Sequence, residues 1–542
     1  MDLNCPDLIM VNGKVLTMEA DGREGTAVAV TGEKISFIGA DAEARRLAGT
    51  KTKIIDLKGR LLMPGFIESH MHPLMYAHNL LGVDCGGDTT RSLAKVLEVL
   101  AEKVAGTPKG EWIKGFGWDD SKFEEKRNPT RWDLDKVSPN HPVVLMRTCV
   151  HVVVANSMAL KLGNIDKYTN DPDGGHIQKD PDTGEPTGIL QERAMEMLPD
   201  LRYTFDQLKG GMETALQILA RRGVTSIGDM SAQQTGFRIY QQLNKENKLT
   251  ARVRLWPVAQ KTILGDAMLD QIYDCGIESG FGNEMISIQG VKYVLDGSIS
   301  GKTAAVTEPY YKETSANGII YCSDESDMLE SIRKAFRGGL RVSIHAIGDR
   351  AIEFALNIIE KAGEGLDLAG MRNRIEHCIL PTSDQLLKVK RLGLVVGSSV
   401  GFLYPLGEGY LNALGPERVK SAIPQKSYEE IGIIAPANTD CPVCDLNPML
   451  AIYGMVERRS FAGNSLGDAQ RVGIMEALKA YTTYPAYSTF EEDKLGSIKE
   501  GKLADLAVLE KDIRNLSPEE IKDLKVALTI VNGRIVWNDG LL

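Results

Sequence analysis

The chain has 542 residues, of which 43% are apolar and 25% are charged, and its formal net charge is -10 with a pI near 5.5. A chain of this length and composition can bury a large core, which excludes an intrinsically disordered protein. The basic residues are scattered along the chain. The sequence therefore predicts no nucleic-acid partner.

The beginning of the chain, Met1 to Asp7, lacks the basic and apolar regions of a secretory signal peptide, and no apolar run is long enough to span a bilayer. We therefore expect a cytoplasmic protein with no membrane partner. The 8 cysteines are dispersed except for Cys441 and Cys444, which favours reduced thiols over a disulfide framework. Cys441-Pro442-Val443-Cys444 predicts two thiols at the edge of a pocket, with a redox pair or half a zinc site as the alternatives.

Short β-type segments occur at both ends of the chain. Residues 8–63 and the segments 504–509 and 526–536 are rich in β-formers and are separated by turn residues. Val11-Asn12-Gly13-Lys14-Val15 and Val531-Asn532-Gly533-Arg534-Ile535 are near copies, and each predicts an Asn-Gly hairpin. We predict a small composite β-sandwich domain formed by residues 1–63 and 490–542.

Apolar runs of the kind that is buried in a parallel sheet lie between these two ends. They cover residues 65–72, 223–230, 252–259, 286–297, 341–349, 373–378, 393–400 and 433–440. Amphipathic stretches separate the runs from the second onward, for example 327–338 and 350–362. Eight strands with helical crossovers predict an α/β protein built on a (β/α)₈ TIM barrel, to which we assign residues 64–489.

The first and second runs are too far apart for a single connecting helix, which predicts an insertion over about residues 85–200. We expect this insertion to act as a lid over the barrel mouth. Trp118, Asp119 and Asp120 within it are candidate substrate contacts, with a solvated turn anchored by one aromatic side chain as the alternative. His151 lies on an apolar run and is predicted to be a core histidine.

Metal-ligating residue types end several of the predicted strands. In a (β/α)₈ barrel the active site gathers at the C-terminal ends of the strands. His70 and His72 end the first strand, where side chains two residues apart point the same way. The further candidates are Lys292 in the fourth run, and His345, His377 and Asp440 at the ends of the fifth, sixth and eighth. Each has an ordinary structural explanation alone, but in this order they predict one metal site.

In this order the motifs resemble the amidohydrolase superfamily, and within it the amidohydrolase family 3, or YtcJ-like, branch. The resemblance extends over essentially the whole chain. It rests on Pro64-Gly65-Phe66-Ile67-Glu68-Ser69-His70-Met71-His72, Lys292 with Asp296-Gly297, His345-Ala346-Ile347-Gly348-Asp349-Arg350, Ile375-Glu376-His377 and Asp440. It implies a metal-dependent hydrolase with a binuclear metal centre.

The resemblance also implies a set of ligands. Lys292 would be carboxylated by CO₂ to N6-carboxylysine and bridge two divalent metal ions. One metal would be bound by His70, His72 and Asp440, and the other by His345 and His377. Zn²⁺ suits such ligands, and Mn²⁺, Fe²⁺ or Co²⁺ are alternatives. The implied reaction is attack by a metal-bridging hydroxide, with Asp440 as general base.

The expected substrate is a small molecule with a non-peptide C–N bond, most simply an amide or an N-acyl or N-formyl compound. A deaminase or cyclic-amide hydrolase of the same superfamily is the first alternative, although classical deaminases there usually lack the modified lysine. A non-catalytic metal-binding regulatory protein is an alternative of another class, against which the complete ligand set argues. The sequence leaves open the physiological substrate, the metal, the carboxylation of Lys292 and the oligomeric state, although relatives often form dimers.

Overall fold

The computed structural model describes residues 5–86, 90, 92–118, 120, 123–147, 152–172, 175–199, 203–262, 265–313, 315, 317–322, 324–540 and 542. The chain divides into two compact units, one formed by Met1–Pro73 with Leu216–Leu542 and the other by Leu74–Ala215. The domain boundaries predicted at residues 63/64 and 489/490 stay predictions. None of the described helices combines the length and apolar character that crossing a membrane requires.

The strands and helices alternate over most of the chain. The strands are β1 (Leu8–Val11), β2 (Lys14–Leu16), β3 (Glu24–Gly25), β4 (Ala27–Thr31), β5 (Lys34–Gly39), β6 (Lys53–Asp56), β7 (Leu61–Pro64), β8 (Phe66–Met71), β9 (Val83–Asp84), β10 (Ile113–Trp118), β11 (Val143–Arg147), β12 (Val152–Ala155), β13 (Gly175–Lys179), β14 (Pro186–Glu192), β15 (Val224–Ala232), β16 (Arg252–Pro257), β17 (Ile286–Ile288), β18 (Val291–Val294), β19 (Val342–Ala346), β20 (Arg374–His377), β21 (Val395–Gly397), β22 (Leu506–Leu509), β23 (Val526–Val531) and β24 (Arg534–Asn538). The helices are α1 (Asp41–Arg46), α2 (Pro73–Leu81), α3 (Leu93–Ala105), α4 (Arg131–Val137), α5 (Ser157–Leu162), α6 (Phe205–Arg221), α7 (Gln234–Lys245), α8 (Leu269–Asp274), α9 (Glu325–Arg337), α10 (Asp349–Ala362), α11 (Leu368–Met371), α12 (Ser383–Arg391), α13 (Leu403–Arg418), α14 (Gln425–Ile431), α15 (Pro448–Glu457), α16 (Ile474–Tyr481), α17 (Thr483–Ser488) and α18 (Pro518–Lys522).

Two sheets of the larger unit use strands from the chain ends. One has the order β5-β4-β1-β6, and the other has the order β24-β23-β22-β7-β2-β3 and therefore joins N-terminal to C-terminal strands. Apolar side chains of both sheets form one buried cluster, in which Met10 and Val28 of the first sheet lie with Leu506 and Leu528 of the second. Burial of this shared apolar surface stabilises the association of the two chain ends.

The two Asn-Gly copies adopt different structures. Asn532 and Gly533 have positive φ angles of 53° and 71°, and they connect β23 to β24 as the predicted antiparallel hairpin. The prediction for the first copy is wrong, because β1 pairs with β4 and β6 whereas β2 pairs with β3 and β7. Asn12 with Gly13 is thus a corner at which the chain passes from one sheet to the other.

The predicted barrel runs form two fully parallel sheets, in the orders β17-β16-β15-β8 and β18-β19-β20-β21. The fourth run is split into β17, which pairs with β16, and β18, which pairs with β19. Gly290 lies between them, where a Cβ atom would be only 2.4 Å from the carbonyl oxygen of Arg341. The eighth run, 433–440, forms an isolated bridge between Ala437 and Ser398, and its Ile434 and Pro436 carbonyl oxygens accept hydrogen bonds from the N–H groups of Val396 and Ser398. Pro436, which has no N–H to donate, precedes that bridge. These parallel strands and their helices make a TIM-barrel-like α/β fold.

Helices α9 and α10 confirm the amphipathic stretches predicted from the sequence. Helix α9 begins after Asp324, whose side chain accepts a hydrogen bond from the Ser326 N–H at 2.7 Å. Its apolar side chains, such as Ile332, and those of α10, such as Leu356, lie in one core with strand residues such as Ile344. The buried faces of these helices therefore cover the sheet that carries β18 to β20.

The smaller unit contains its own sheet, in the order β13-β14-β12-β11-β10-β9. Its core on one side of the sheet includes Val96 and Leu100 of α3 together with Trp118 of β10. A second apolar cluster includes Leu160 of α5 and Leu190 of β14. This unit thus has the buried apolar surface of a separately packed body.

Candidate metal centre

Strand β8 carries His70 and His72 at its C-terminal end. The two imidazole rings lie edge to face with their centroids 5.3 Å apart, and both side chains are buried. The Asp440 Oδ1 atom lies 3.3 Å from His70 Nε2 and 3.0 Å from His72 Nε2. The ligand atoms of these three residues all lie within 4.8 Å of one another. The structure therefore brings together residues that are far apart in the sequence into a candidate metal-binding triad.

Backbone contacts fix Asp440 beside β8. The Asp440 N–H donates to the His70 carbonyl oxygen at 3.2 Å, and the His72 N–H donates to the Cys441 carbonyl oxygen at 2.7 Å. Asp440 has a positive φ angle of 53°, which is uncommon for a residue with a side chain. Such backbone strain occurs most often at functional sites.

Asp440 Oδ1 is buried and, among the described residues, accepts no hydrogen bond of proper geometry. The Nε2 atoms of His70 and His72 lie 3.3 Å and 3.0 Å from this oxygen without a hydrogen bond of proper geometry. Two nitrogens and one oxygen at such distances are arranged around a common point, as the ligands of a cation are. The buried oxygen without a donor therefore fits a metal ion at this position.

His377 and His345 extend the group of histidines. The His377 ring lies 4.9 Å from the His70 ring and 4.5 Å from the His345 ring, measured between centroids. His377 and the next residue, Cys378, have positive φ angles of 72° and 46°. These left-handed conformations end β20 and turn the His377 ring toward His70. The four imidazoles thus follow one another across the ends of β8, β19 and β20.

Neighbouring acceptor groups determine which ring nitrogen carries the proton in His70 and His345. His70 Nδ1 lies 2.7 Å from the Glu376 carboxylate, and His345 Nε2 lies 3.1 Å from the Gly297 carbonyl oxygen. Because these oxygens only accept hydrogen bonds, His70 carries its proton on Nδ1 and His345 carries it on Nε2. The His70 Nε2 and His345 Nδ1 atoms therefore keep a free lone pair.

The same argument applies to His377. Its Nδ1 atom lies 2.6 Å from Ser399 Oγ, and that hydroxyl donates to Asn438 Oδ1 at 2.9 Å. The hydroxyl proton is thus directed at Asn438, so Ser399 accepts from His377 Nδ1–H. His377 Nε2 is left with a lone pair, as a metal-ligating imidazole requires.

Lys292 is buried with 1% of its surface exposed, and its Nζ atom has no hydrogen-bond partner among the described residues. Burial and the nearby Arg374 guanidinium lower the pKa of Lys292 to about 8, although Glu376 and Asp440 oppose this shift. An ammonium group without a partner is costly in such surroundings. The neutral amine is accordingly favoured more than in an exposed lysine.

Burial and charge also shift the pKa values of the other groups. Burial, followed by the Lys292 charge, lowers the pKa of His70, and burial together with His345 lowers the pKa of His377 well below its usual range. Burial alone would raise the pKa of Asp440, but His70 and His72 hold it well below its usual range. The shifts therefore favour neutral rings at His70 and His377 and an ionised carboxylate at Asp440, which are the forms that bind a metal.

Three buried carboxyl groups beside the histidines lie in the motifs quoted from the sequence but were given no role there. Glu376 contacts His70, as described above, and Asp296 accepts hydrogen bonds from the N–H groups of Ala305, Ile347 and Gly348, each at 2.9 Å. Glu68 Oε1 accepts from the Thr439 N–H at 2.9 Å, next to Asp440. Glu68 and Glu376 each lie within two residues of a predicted ligand, which was the only sequence signal available for them.

The structure places the remaining candidates as follows. Trp118 is fully buried in the core of the smaller unit and donates from its indole N–H to the Leu145 carbonyl oxygen at 3.2 Å. Asp120 accepts from Arg147 Nε at 2.8 Å, whereas Asp119 and His151 lie outside the described residues. The role of Trp118, Asp119 and Asp120 in substrate binding stays a prediction.

Cys441 and Cys444 are free thiols that are buried next to Asp440. Burial, together with Glu68 and the neighbouring aspartates, raises the pKa of Cys441 well above its usual range, and burial with Asp440 does the same for Cys444. A raised pKa disfavours the thiolate, which is the reactive and metal-binding form.

Imidazole nitrogens and a carboxylate oxygen, gathered at the ends of parallel strands in a TIM-barrel-like fold, define the class of metal-dependent hydrolases. The sequence model described as the amidohydrolase family matches residues 53–537. This match covers most of the chain, and the protein therefore belongs to the amidohydrolase family. It is accordingly an enzyme that hydrolyses carbon–nitrogen bonds.

Individual relatives agree with this assignment. The chain is 29% identical to the YtcJ protein of Bacillus subtilis, with 97% of this chain and 98% of that protein covered. It is 27% identical to an N-substituted formamide deformylase of Arthrobacter pascens, with 97% of each covered. It is also similar to the crystal structure of an uncharacterized metal-dependent hydrolase of Pyrococcus horikoshii, with a TM-score of 0.77, 27% identity, and 94% of this chain and 99% of that chain covered.

Proposed function

We propose that this enzyme cleaves a non-peptide C–N bond in a small amide, an N-acyl compound or an N-formyl compound. One observation carries the proposal: the buried Asp440 Oδ1 atom lies 3.3 Å from His70 Nε2 and 3.0 Å from His72 Nε2 and has no hydrogen bond of proper geometry among the described residues. The similarity to an N-substituted formamide deformylase over nearly the whole chain supports an N-formyl or a related N-acyl substrate.

We propose that two divalent metal ions bind here, most simply Zn²⁺, with Mn²⁺, Fe²⁺ or Co²⁺ as alternatives. One ion would be held by His70, His72 and Asp440, and the other by His345 and His377. The free ring nitrogens support this division, because the acceptors leave His70 Nε2, His345 Nδ1 and His377 Nε2 with lone pairs. When bound, such ions lower the pKa of a bound water toward neutral and polarise a substrate carbonyl.

We propose that Lys292 is carboxylated and supplies the bridging oxygens. Its buried Nζ atom has no hydrogen-bond partner among the described residues, and its lowered pKa favours the neutral amine that adds to CO₂. The addition forms an N–C bond, releases one proton and turns a cationic side chain into an anionic carbamate. An anion suits a site between two cations, whereas an ammonium group would be repelled there.

We propose that Asp440 acts as the general base. In this role the carboxylate receives a proton from the attacking water and later donates it to the leaving nitrogen when the C–N bond breaks. The ionised state required for the first step is supported by His70 and His72, which hold the pKa of Asp440 well below its usual range. The close contact of the carboxylate with these imidazoles also restricts its orientation.

The finer architecture belongs to the same proposal. A bridge between Val258 and Lys292, a bridge between Ser398 and Ala437, and a 3.4 Å hydrogen bond from the Ser69 N–H to Ala437 support closure of the parallel strands into one (β/α)₈ barrel. The composite β-sandwich, the lid role of the insertion, the cytoplasmic location and a homodimer stay predictions from the sequence.

Hydrolysis of a compound panel by the purified, metal-loaded protein tests this function. The panel contains N-substituted formamides, N-acyl amino acids, aryl amides and ureas, together with adenine and adenosine as deaminase substrates. We expect release of a carboxylate and an amine from at least one formamide or amide, with loss of turnover after chelation and recovery on adding Zn²⁺. Turnover confined to ammonia release from the deaminase substrates would overturn the proposed substrate class.

A further inference from the structure

The carboxylate of Glu376 lies behind His70, on the side of the ring opposite to Asp440. Its Oε2 atom accepts from His70 Nδ1–H at 2.7 Å and from Arg374 Nη2 at 3.0 Å. Its Oε1 atom accepts from Arg374 Nε at 2.6 Å and from Ser343 Oγ at 2.7 Å. All four residues are buried. Every acceptor direction of this carboxylate is therefore used, so its orientation is fixed.

The arginine that binds Glu376 is itself anchored. Arg374 Nη1 donates to Ser488 Oγ at 2.7 Å, and Nη2 donates to the Ser69 carbonyl oxygen at 3.3 Å. Arg374 begins β20, Ser69 lies on β8 and Ser488 ends α17. The carboxylate is thus held by contacts from several elements and does not depend on its own strand alone.

His72 and His377 have neutral partners on the side away from the proposed metals, whereas His345 Nε2 lies 3.1 Å from the Gly297 carbonyl oxygen and 3.3 Å from the Asp296 carboxylate. His72 Nδ1 lies 2.8 Å from the Ser231 hydroxyl, and His377 Nδ1 lies 2.6 Å from the Ser399 hydroxyl. A hydroxyl is neutral, whereas a carboxylate attracts the Nδ1 proton strongly and makes the opposite nitrogen a better electron donor. His70 is therefore distinguished from His72 and His377 by a charged partner.

We infer that Glu376 is a positioning residue that holds His70 in the Nδ1–H tautomer and directs His70 Nε2 at the metal. This inference rests on the proposed metal site. Glu376 also directly precedes His377 in the chain. Its side chain therefore supports His70, a ligand of the first proposed metal, next to His377, a ligand of the second. Loss of the carboxylate should weaken metal binding more than loss of a hydroxyl behind a neighbouring histidine.

Metal affinity tests the inference with a matched pair of variants. Glu376→Gln keeps the size of the side chain and removes its charge, and Ser231→Ala removes the neutral partner of His72. Zn²⁺ dissociation constants are measured by competition with a chromophoric chelator. We expect Glu376→Gln to raise the dissociation constant of the more tightly bound Zn²⁺ ion by about 10–100-fold. Ser231→Ala should raise it by a smaller factor. An affinity of Glu376→Gln within threefold of the unmodified protein, or a larger loss in Ser231→Ala, would overturn the inference.

The tautomer of His70 gives a readout that needs neither metal nor activity. The chain has 8 histidines, and ¹⁵N spectra of metal-free protein labelled at histidine distinguish Nδ1–H from Nε2–H rings. Comparison with His70→Asn identifies the His70 signal. We expect Nδ1–H in the unmodified protein and a mixture of tautomers in Glu376→Gln. Nε2–H in the unmodified protein would contradict the inference, even if Glu376→Gln fails to fold.

These measurements separate the inference from the proposed function. If the unmodified protein takes up no metal, the proposed metal site is wrong, but the tautomer of His70 still decides the role of Glu376. If the unmodified protein binds metal and Glu376→Gln binds it equally well, the metal site stands and the positioning role is wrong.

Discussion

Arg252 at the start of β16 and Asp440 at the metal centre are both buried charged residues, but their surroundings differ. Arg252 donates from Nε and Nη2 to the two oxygens of Asp505, at 2.7 Å and 2.9 Å. Arg254 forms the same type of pair with Glu491, with both distances at 2.7 Å. Asp440 Oδ1 accepts no hydrogen bond from the described residues. The buried ion pairs of β16 therefore stabilise the fold, whereas the candidate metal centre contains polar atoms that are available to a ligand.

The largest effect is expected from Asp440→Asn at the metal centre. The amide cannot accept the proton from water, so kcat should fall by about 10²–10⁴-fold. Folding should be preserved, because Asp440 Oδ1 accepts no hydrogen bond from the described residues and Asn has nearly the same size. Steady-state kinetics on the best compound of the panel, together with circular dichroism, measure both effects. The control is Asp384→Asn on the exposed surface of α12, which should retain full activity.

Arg252→Met breaks a pair at the strand starts and should lower the free energy of unfolding by about 3–5 kcal/mol, because Asp505 is left buried without its counter-charge. The matched control is Arg391→Met, which breaks the exposed contact with Glu360 at 2.7 Å. That change should cost about 0–1 kcal/mol. Urea unfolding of the metal-free proteins measures both values. Equal effects of the two substitutions would refute the structural role assigned to the buried pair.

Metal removal should destabilise the protein through the metal centre alone. A ligand at 100 times its dissociation constant stabilises the folded state by about 2.7 kcal/mol. We therefore expect a chelator to lower the melting temperature of the unmodified protein and of Arg252→Met by the same amount. The chelator should have a smaller effect on Asp440→Asn, which loses one ligand of the first proposed ion but keeps those of the second. Differential scanning calorimetry makes this comparison, and an undiminished chelator effect in Asp440→Asn would contradict it.

The smallest effect is expected from Lys292→Met in the metal-free protein. Removing a buried amine that has no partner among the described residues should raise the free energy of unfolding by about 1–3 kcal/mol. The same substitution should abolish binding of the second metal ion. Urea unfolding in the presence of a chelator provides the measurement. A clear loss of stability would show that Lys292 stabilises the fold through contacts of its own.

The parallel strands could be predicted because long apolar runs between helical stretches are a strong signal. The places where two of these runs depart from a regular strand could not be predicted. The eighth run forms an isolated bridge at Ala437, directly after Pro436, which has no N–H to donate, and the fourth run changes its pairing partner from β16 to β19 at Gly290. These details depend on which neighbour each segment meets after folding.

The Asn-Gly copies show the same limit. Asn532-Gly533 forms the predicted hairpin, because the strands on either side of it remain in one sheet. Asn12-Gly13 has the same local sequence, but its flanking strands join different sheets. Turn propensity determines that the chain bends at both positions, and the tertiary packing of the strands determines where it continues.

Strand alternation also explains why Glu376 was not recognised. Adjacent residues on a regular strand point to opposite faces, so a predicted ligand at His377 would place Glu376 away from the site. In the structure Glu376 accepts a hydrogen bond from His70, and the His377 ring also lies 4.9 Å from the His70 ring. Both residues can reach His70 because His377 has a φ angle of 72° and leaves the strand conformation. The sequence order of the strand ends indicated the histidines, but the unusual backbone conformation of His377 is what brings its ring to the side on which Glu376 contacts His70.

Metal analysis of the protein reconstituted with Zn²⁺ and bicarbonate, beside Lys292→Met prepared in the same way, tests the central claim most directly. Inductively coupled plasma mass spectrometry gives the number of ions per chain. The binuclear centre predicts two ions per chain in the unmodified protein and fewer in Lys292→Met. A single ion or none in the unmodified protein, or two ions in Lys292→Met, would contradict it.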